Sequence, residues 1–354
     1  EVLGAPVRGA VAGRAVRESL GLMKNKNDLL PLAPKRKVLV AGDGADNIGK
    51  QAGGWSVTWQ GTGNVKSDFP GATSIYAGIN QAVSAAGGKA TLSVDGSFKE
   101  KPDVAIVVFG EDPYAEMQGD VGSMAYKPRS TADWDLMKKL RSQGIPVVSL
   151  FITGRPLWVN REINASDAFV SVWLPGTEGA GVADVIFKKA DGSVNFDMKG
   201  RLSFSWPKLP DQTLLNRGDK NYDPLFAYGY GLSYADKNTL GDDLLEEGPK
   251  ASEAFDVMEI FNRRPMDPWQ LEIIGFQNDV VPMNSNTVKA SSLTIQAVDR
   301  EVQEDARRVQ WNGTGSGQVA LSVGNRQDFI NYVKSDSALV FDIKVDAAPS
   351  DVTF

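Results

Sequence analysis

Asp103-Val104-Ala105-Ile106-Val107-Val108-Phe109-Gly110 is a short, continuously apolar run that stops at a glycine. The same grammar recurs in Lys37-Val38-Leu39-Val40-Ala41-Gly42, in Val147 to Gly154, and in Phe169-Val170-Ser171-Val172-Trp173-Leu174-Pro175-Gly176. Helix-like stretches lie between these runs, at Ile75–Ala86, Ala132–Gln143 and Glu178–Phe187. Strand, loop, helix and strand in succession predict a mainly parallel sheet sandwiched by helices, an α/β fold. Continuous apolar strands fit a sheet that is buried on both faces. In such a fold the loops after the strands gather on one edge, where ligands bind. Four loops should therefore share that edge: 42–47, 110–120, 154–156 and 175–179.

Ahead of the first run, residues 9–24 place Val11, Ala15, Leu20 and Met23 at helical spacing and predict a lead-in helix. Residues 194–235 are rich in Gly and aromatics and should wrap and close the domain. Residues 236–252 turn acidic and polar and read as a linker. Beyond them come short alternating runs at 271–274, 292–298, 319–323 and 339–345, the pattern of a β-sandwich. The predicted organisation is a linker helix over 1–32, an α/β domain over 33–235, a linker over 236–252, and an all-β, jelly-roll-like module over 253–354. The chain starts at Glu1 without an initiator Met and stops inside a strand-like pattern, so it reads as a piece of a longer polypeptide.

Composition narrows the chemistry. At 354 residues, 42% hydrophobic and 23% charged, the chain is of ordinary globular type. A net charge of −6 offers no basic stripe for nucleic acid. No run approaches the roughly 18 apolar residues of a membrane span. Cys and His are both absent. That removes thiolate nucleophiles, Cys/His zinc sites and a histidine general base. Acid–base chemistry must then use Asp, Glu, Lys or Tyr. No metal-ligand cluster or cofactor is expected. Gly42-x-Gly44 hints at a dinucleotide loop, but Asn47 stands where the third glycine should be, which leaves a tight turn as the better reading.

Two stretches carry candidate function. Glu111, Asp112, Glu116 and Asp120 crowd four carboxylates into the loop after Gly110. Like charges in a dry site raise one another's pKa. A solvated acidic loop and a proton-transfer site both fit, and a retaining glycosidase needs a protonated and an ionised carboxyl roughly 5 Å apart. The second stretch is Gly53-Gly54-Trp55-Ser56-Val57-Thr58-Trp59-Gln60-Gly61. Its glycines predict a loop. Its tryptophans are either core residues or an aromatic wall for the C–H face of a sugar. Trp269 and Trp311 pose the same question in the β module. From the residues alone, the chain reads as sugar-binding or sugar-cleaving.

Five pieces together resemble glycoside hydrolase family 3, in its exo-1,3/1,4-β-glucan glucohydrolase branch. They are Ala15 to Leu32 with its Lys24-Asn25 and Leu29-Leu30-Pro31-Leu32; Gly53 to Gly61; Gly110-Glu111-x-Pro113-Tyr114-Ala115-Glu116 with Gly119-Asp120; Ser171 to Gly179; and Tyr222-Asp223-Pro224-Leu225-Phe226 through Leu232. The resemblance implies a (β/α)8-like barrel bearing a nucleophilic Asp in a Ser-Asp-Trp context, followed by an α/β sandwich that lends the acid/base Glu. This chain resembles the sandwich. The implied acid/base is Glu116, Trp55 and Trp59 are implied to bind substrate, and Glu111 and Asp120 are possible supporting residues. The implied partners are a β-glucan oligosaccharide or polysaccharide and the barrel of the same enzyme, in a periplasmic or secreted setting. Ser67-Asp68-Phe69 and Ala132-Asp133-Trp134 only partly mimic the nucleophile motif, and neither is assigned. A chain without that nucleophile should hydrolyse nothing alone. A non-catalytic carbohydrate-binding protein is the second reading, and β-xylosidase or N-acetylglucosaminidase activity remains open within the family.

Overall fold

The computed structural model describes residues 6–116, 118–121, 123–128, 130–247, 258–324 and 339–345. The chain opens with helix α1 (Pro6–Ser19), strand β1 (Gly21–Asn25) and strand β2 (Lys37–Ala41). Then follow α2 (Ile48–Ala52), α3 (Ile75–Ala85), β3 (Lys89–Leu92), β4 (Val104–Gly110), α4 (Ala132–Ser142), β5 (Val147–Ile152), α5 (Asn160–Asn164), β6 (Ala168–Trp173) and α6 (Ala180–Ile186). The six strands form one sheet in the order β1-β6-β5-β4-β2-β3. All neighbours run parallel except β1, which lies antiparallel on β6 with Gly21 opposite Ser171.

Alternation along β4 sorts its side chains to opposite faces. Ile106 and Val108 join a core with Ile75, Ile79 and Val83 of α3 and Val182, Val185 and Ile186 of α6. Ala105, Val107 and Phe109 join a second core with Met137 and Leu140 of α4 and Ile163 of α5. Both β4 and β5 are buried along their whole length, as a doubly covered parallel sheet requires. The turn after β2 needs glycine: Gly42 has φ +87°, and a Cβ there would lie 2.2 Å from the Val108 carbonyl oxygen.

Two edge strands are not legible in the sequence. The lead-in helix ends at Ser19, so Leu20 and Met23 are not on it, and Val11 is 67% exposed. Residues 21–25 instead form β1, because Leu22 and Met23 are buried against β6 and the segments beyond it. At the other edge β3 is only half-buried, so its apolar signal is weak. Residues 194–235 pack back onto the sheet. Trp206 is fully buried and pairs with Phe226, while Leu232 pairs with Leu22 of β1.

Of the acidic stretch after it, residues 236–247 are described and are no loose tether, while 248–252 lie outside the described residues. Asp242 takes Lys24 Nζ at 2.6 Å, Lys26 Nζ at 2.6 Å and Arg141 Nη2 at 3.2 Å. Asn164 exchanges two hydrogen bonds with the Leu244 backbone. Partial burial disfavours the Asp242 carboxylate, but the bonds from Lys24, Lys26 and Arg141 outweigh this and hold it well below the usual carboxylate range.

The β module follows with β7 (Phe261–Asn262), β8 (Arg264–Pro265), β9 (Trp269–Ile274), β10 (Val280–Pro282), β11 (Thr287–Lys289), β12 (Leu293–Val298), β13 (Ala306–Trp311) and β14 (Gln318–Val323). Two antiparallel three-stranded sheets, β10-β9-β14 and β11-β12-β13, share a core of Leu271, Ile273, Val288, Leu293 and Ile295. The expected run at 339–345 forms no strand, and its side chains are exposed.

Lys24 is fully buried, so Asp242→Asn should cost about 3 kcal/mol by stranding its charge. The Asp242 carboxylate binds protons more weakly folded than unfolded. Its contribution is therefore complete above its unfolded pKa of about 4 and is lost as pH falls. Urea midpoints should show the gap between the native chain and Asp242→Asn wide at pH 7 and shrinking towards pH 2.

Candidate functional site

The loops at the carboxyl ends of the strands do converge. A Cβ at Gly54 would sit 2.0 Å from the Tyr114 carbonyl oxygen, and one at Gly154 would sit 2.7 Å from the Tyr114 hydroxyl. A Cβ at Gly53 would meet Leu174 at 2.8 Å. Gly176 N donates to the Gln51 carbonyl at 2.9 Å. The loops after α2, β4, β5 and β6 thus pack against one another, several of them through glycines that permit the approach.

The tryptophan loop is a tight, partly strained reversal. Trp55 N donates to the Trp59 carbonyl at 2.8 Å, and Thr58 N donates to the Ser56 carbonyl at 2.7 Å. Trp55 and Val57 hold positive φ, +59° and +63°. For such residues this costs on the order of 1 kcal/mol or more each. The result is a tip with Trp55 68% exposed and Trp59 half-buried beneath it. Their rings meet edge-on, with centroids 5.9 Å apart. Trp55 is therefore no core residue.

The four acids of the next loop separate into different environments. Glu111 accepts from Arg155 Nε at 3.0 Å, Arg155 Nη2 at 2.9 Å, Thr153 Oγ1 at 2.8 Å, the Tyr114 hydroxyl at 3.1 Å and Gly154 N at 3.3 Å. Arg155 Nη1 also donates to the Gly119 carbonyl, and its guanidinium lies 4.2 Å over the Tyr114 ring. Glu111 is thus a brace of the loop. Asp112 pairs with Lys50 Nζ at 3.0 Å. Loss of solvation would raise the Asp112 carboxyl, but Lys50, then Lys127 and Arg264, overcome it and hold it well below the usual range. Glu116 and Asp120 are exposed. The mutual repulsion expected from four close acids is dispersed, since cations match Glu111 and Asp112 and solvent reaches Asp112, Glu116 and Asp120.

Beneath the loop runs an alternating charge chain. Lys50 is buried and also meets Asp43 at 2.6 Å. Lys127 lies between Asp133 at 3.5 Å and Asp43 at 3.9 Å. Burial would lower the Lys50 ammonium, but Asp112 and Asp43 reverse this and raise it. The β module reaches the same place, where Arg264 Nη1 donates to the Pro113 carbonyl at 3.4 Å.

Lys50, Arg155 and Gln60 are site residues that sequence reasoning does not single out. Gln60 is 2% exposed. Its Oε1 accepts from Ala115 N at 2.7 Å, and its Nε2 donates to the Glu116 carbonyl at 3.1 Å. Its place inside the Gly53–Gly61 stretch is the available signal. The two nucleophile look-alikes do structural work. Asp68 bonds the Val65 backbone, and Asp133 takes the Tyr126 hydroxyl. Trp311 is 61% exposed with Nε1 donating to the Gly315 carbonyl at 3.0 Å, whereas Trp269 is half-buried. Among the described residues no group of three or more Asp or Glu could hold a metal ion.

Residues 21–234 match the glycosyl hydrolase family 3 C-terminal domain, and the chain belongs to that family. Residues 267–354 match a galactose-binding domain-like module. The chain is similar to the crystal structure of an exo-1,3/1,4-β-glucanase from a Pseudoalteromonas species, with 45% identity and a TM-score of 0.69, covering 91% of this chain and 40% of that one. It is 32% identical to the lysosomal β-glucosidase of Dictyostelium discoideum over 64% of this chain and 30% of the relative. It is 28% identical to the periplasmic β-glucosidase of Salmonella typhimurium over 63% of this chain and 34% of the relative. The chain therefore spans about a third of the length of these two β-glucosidases.

Gly54→Ala tests the contact between the tryptophan and acid loops. The added methyl meets backbone, which cannot give way as a side chain could. The melting temperature should fall by several degrees with little change in far-UV circular dichroism, and tryptophan fluorescence should shift as the loops part. An unchanged melting temperature and spectrum would contradict the packing.

Proposed function

We propose that this chain supplies the acid/base part of a retaining exo-β-glucosidase or exo-1,3/1,4-β-glucanase, which releases glucose from the non-reducing ends of β-glucans. The observation that carries the reading is Glu116, an exposed carboxyl on a loop otherwise fixed by ion pairs and buried hydrogen bonds, next to an indole pair at the loop edge. Membership of family 3 and likeness to an exo-1,3/1,4-β-glucanase support it. The nucleophilic Asp comes from a barrel domain of the same enzyme, the chain's principal partner.

In the first step the protonated Glu116 gives its proton to the glycosidic oxygen as the C1–O bond breaks. The nucleophilic carboxylate attacks C1 and forms a glycosyl ester, and the aglycone leaves as a neutral alcohol. In the second step the Glu116 carboxylate takes a proton from water as that water attacks C1. Glucose leaves, the nucleophile is freed as a carboxylate, and Glu116 is again an acid. Trp59 and Trp55 offer indole surface to the sugar on the leaving-group side. Glu111 holds the loop, and Asp120 is placed to contact solvent or a longer glycan. The reaction uses no metal or cofactor. A periplasmic or secreted setting suits a polymer substrate, and similarity to a periplasmic β-glucosidase supports it. No helix among the described residues is long and apolar enough to cross a membrane.

Glu116→Gln in the full-length enzyme tests this. For laminaribiose, whose leaving sugar needs the proton, kcat/KM should fall by about 10²- to 10⁴-fold, the usual worth of general acid catalysis. For 2,4-dinitrophenyl β-glucoside, whose leaving group needs no proton, it should fall far less. Equal losses for both substrates would remove Glu116 from the role.

A further inference from the structure

The side-chain amide of Gln60 bonds the two backbone groups that bracket the Ala115–Glu116 pair on the acid loop. Its oxygen takes Ala115 N at 2.7 Å, and its nitrogen gives to the Glu116 carbonyl at 3.1 Å. The bonds are shielded, since Gln60 is 2% exposed and Ala115 is buried. An amide is well suited here, because it presents an acceptor and a donor in one plane. The rest of the loop is anchored elsewhere. Arg155 holds its two ends through Glu111 and the Gly119 carbonyl. Among the described residues Gln60 is the side chain that bonds the backbone at Ala115 and Glu116, in a turn that Gln118 N and Gly119 N also close onto the Glu116 and Ala115 carbonyls. It also follows Trp59 directly in the chain, and Gly61 after it is tight against the Gly53 carbonyl, 2.3 Å from a would-be Cβ.

We propose that Gln60 is a positioning residue that sets the Glu116 carboxyl in register with the Trp59 ring. A sugar stacked on that ring then presents its glycosidic oxygen to the proton donor. This rests on the acid/base reading of Glu116 and adds to it. Proton donation and leaving-group binding become one mechanical unit joined by a single amide. Gln60 itself touches neither substrate nor the reacting atoms. A shift of about 1 Å in a reacting group can cost on the order of 100-fold, so loosening the middle of this loop should be felt at the chemical step.

The test compares Gln60→Ala, Gln60→Glu and Glu116→Gln in the full-length enzyme, with laminaribiose and 2,4-dinitrophenyl β-glucoside as substrates and melting temperatures alongside. Gln60→Ala should lose about 10- to 100-fold in kcat/KM on laminaribiose and much less on the dinitrophenyl glucoside. Gln60→Glu keeps an acceptor for Ala115 N but lacks the donor for the Glu116 carbonyl. It should show the same imbalance, smaller in size, with a melting temperature nearer the native value, and it carries the comparison if Gln60→Ala melts below the assay temperature. Equal losses on both substrates in the Gln60 variants, with Glu116→Gln still discriminating, would reduce Gln60 to a packing residue and overturn the proposal. A Glu116→Gln enzyme that does not discriminate would overturn the acid/base reading and this proposal with it.

Discussion

The site depends on a buried cation. Lys50 lies between Asp43, just after β2, and Asp112, just after β4, with its ammonium 2.6 and 3.0 Å from the two carboxylates. Burial would lower this ammonium, and the two carboxylates, themselves half-exposed, offset that and keep it charged. The same contacts fix the spacing of the two strand ends and pull the start of the acid loop inward. From that point the loop is held by Arg155 at its ends and by Gln60 in its middle. Asp112 is used to hold the loop, which leaves Glu116 free to face outward.

This division of labour explains why an acid-rich loop can follow a fully apolar strand. The charges are not pooled to perturb one another. Glu111 and Asp112 are each matched to a cation and hold the backbone, Asp112 while half-exposed, and Glu116 and Asp120 are exposed with no such pairing among the described residues. Arg264 of the β module also donates to the Pro113 carbonyl. The second module therefore contributes to the outer wall of the same loop. The tryptophan tip accepts backbone strain at Trp55 and Val57, which keeps Trp55 exposed beside the site.

The central strands are legible in the sequence because β4 and β5 are buried on both faces and so must be continuously apolar. The edge strands are not. In β1, Lys24 and Asn25 are polar yet buried, satisfied by Asp242, Ile163 and Leu30 through contacts that no local pattern announces. In β3 the burial is partial. Glu116 and the tryptophans can be picked out because a loop rich in acids and a glycine-bounded indole pair are conspicuous by composition. Lys50, Arg155 and Gln60 cannot, since their roles arise from partners 7 to 62 residues away.

Hydrolysis of 2,4-dinitrophenyl β-glucoside and laminaribiose by this 354-residue chain alone, beside the full-length enzyme, tests the central claim most directly. The account predicts turnover by the full-length enzyme and none by the chain alone, because the chain brings Glu116 and the indole wall without the nucleophile. Turnover by the chain alone would contradict it, since a second carboxylate within these residues would then have to attack the sugar.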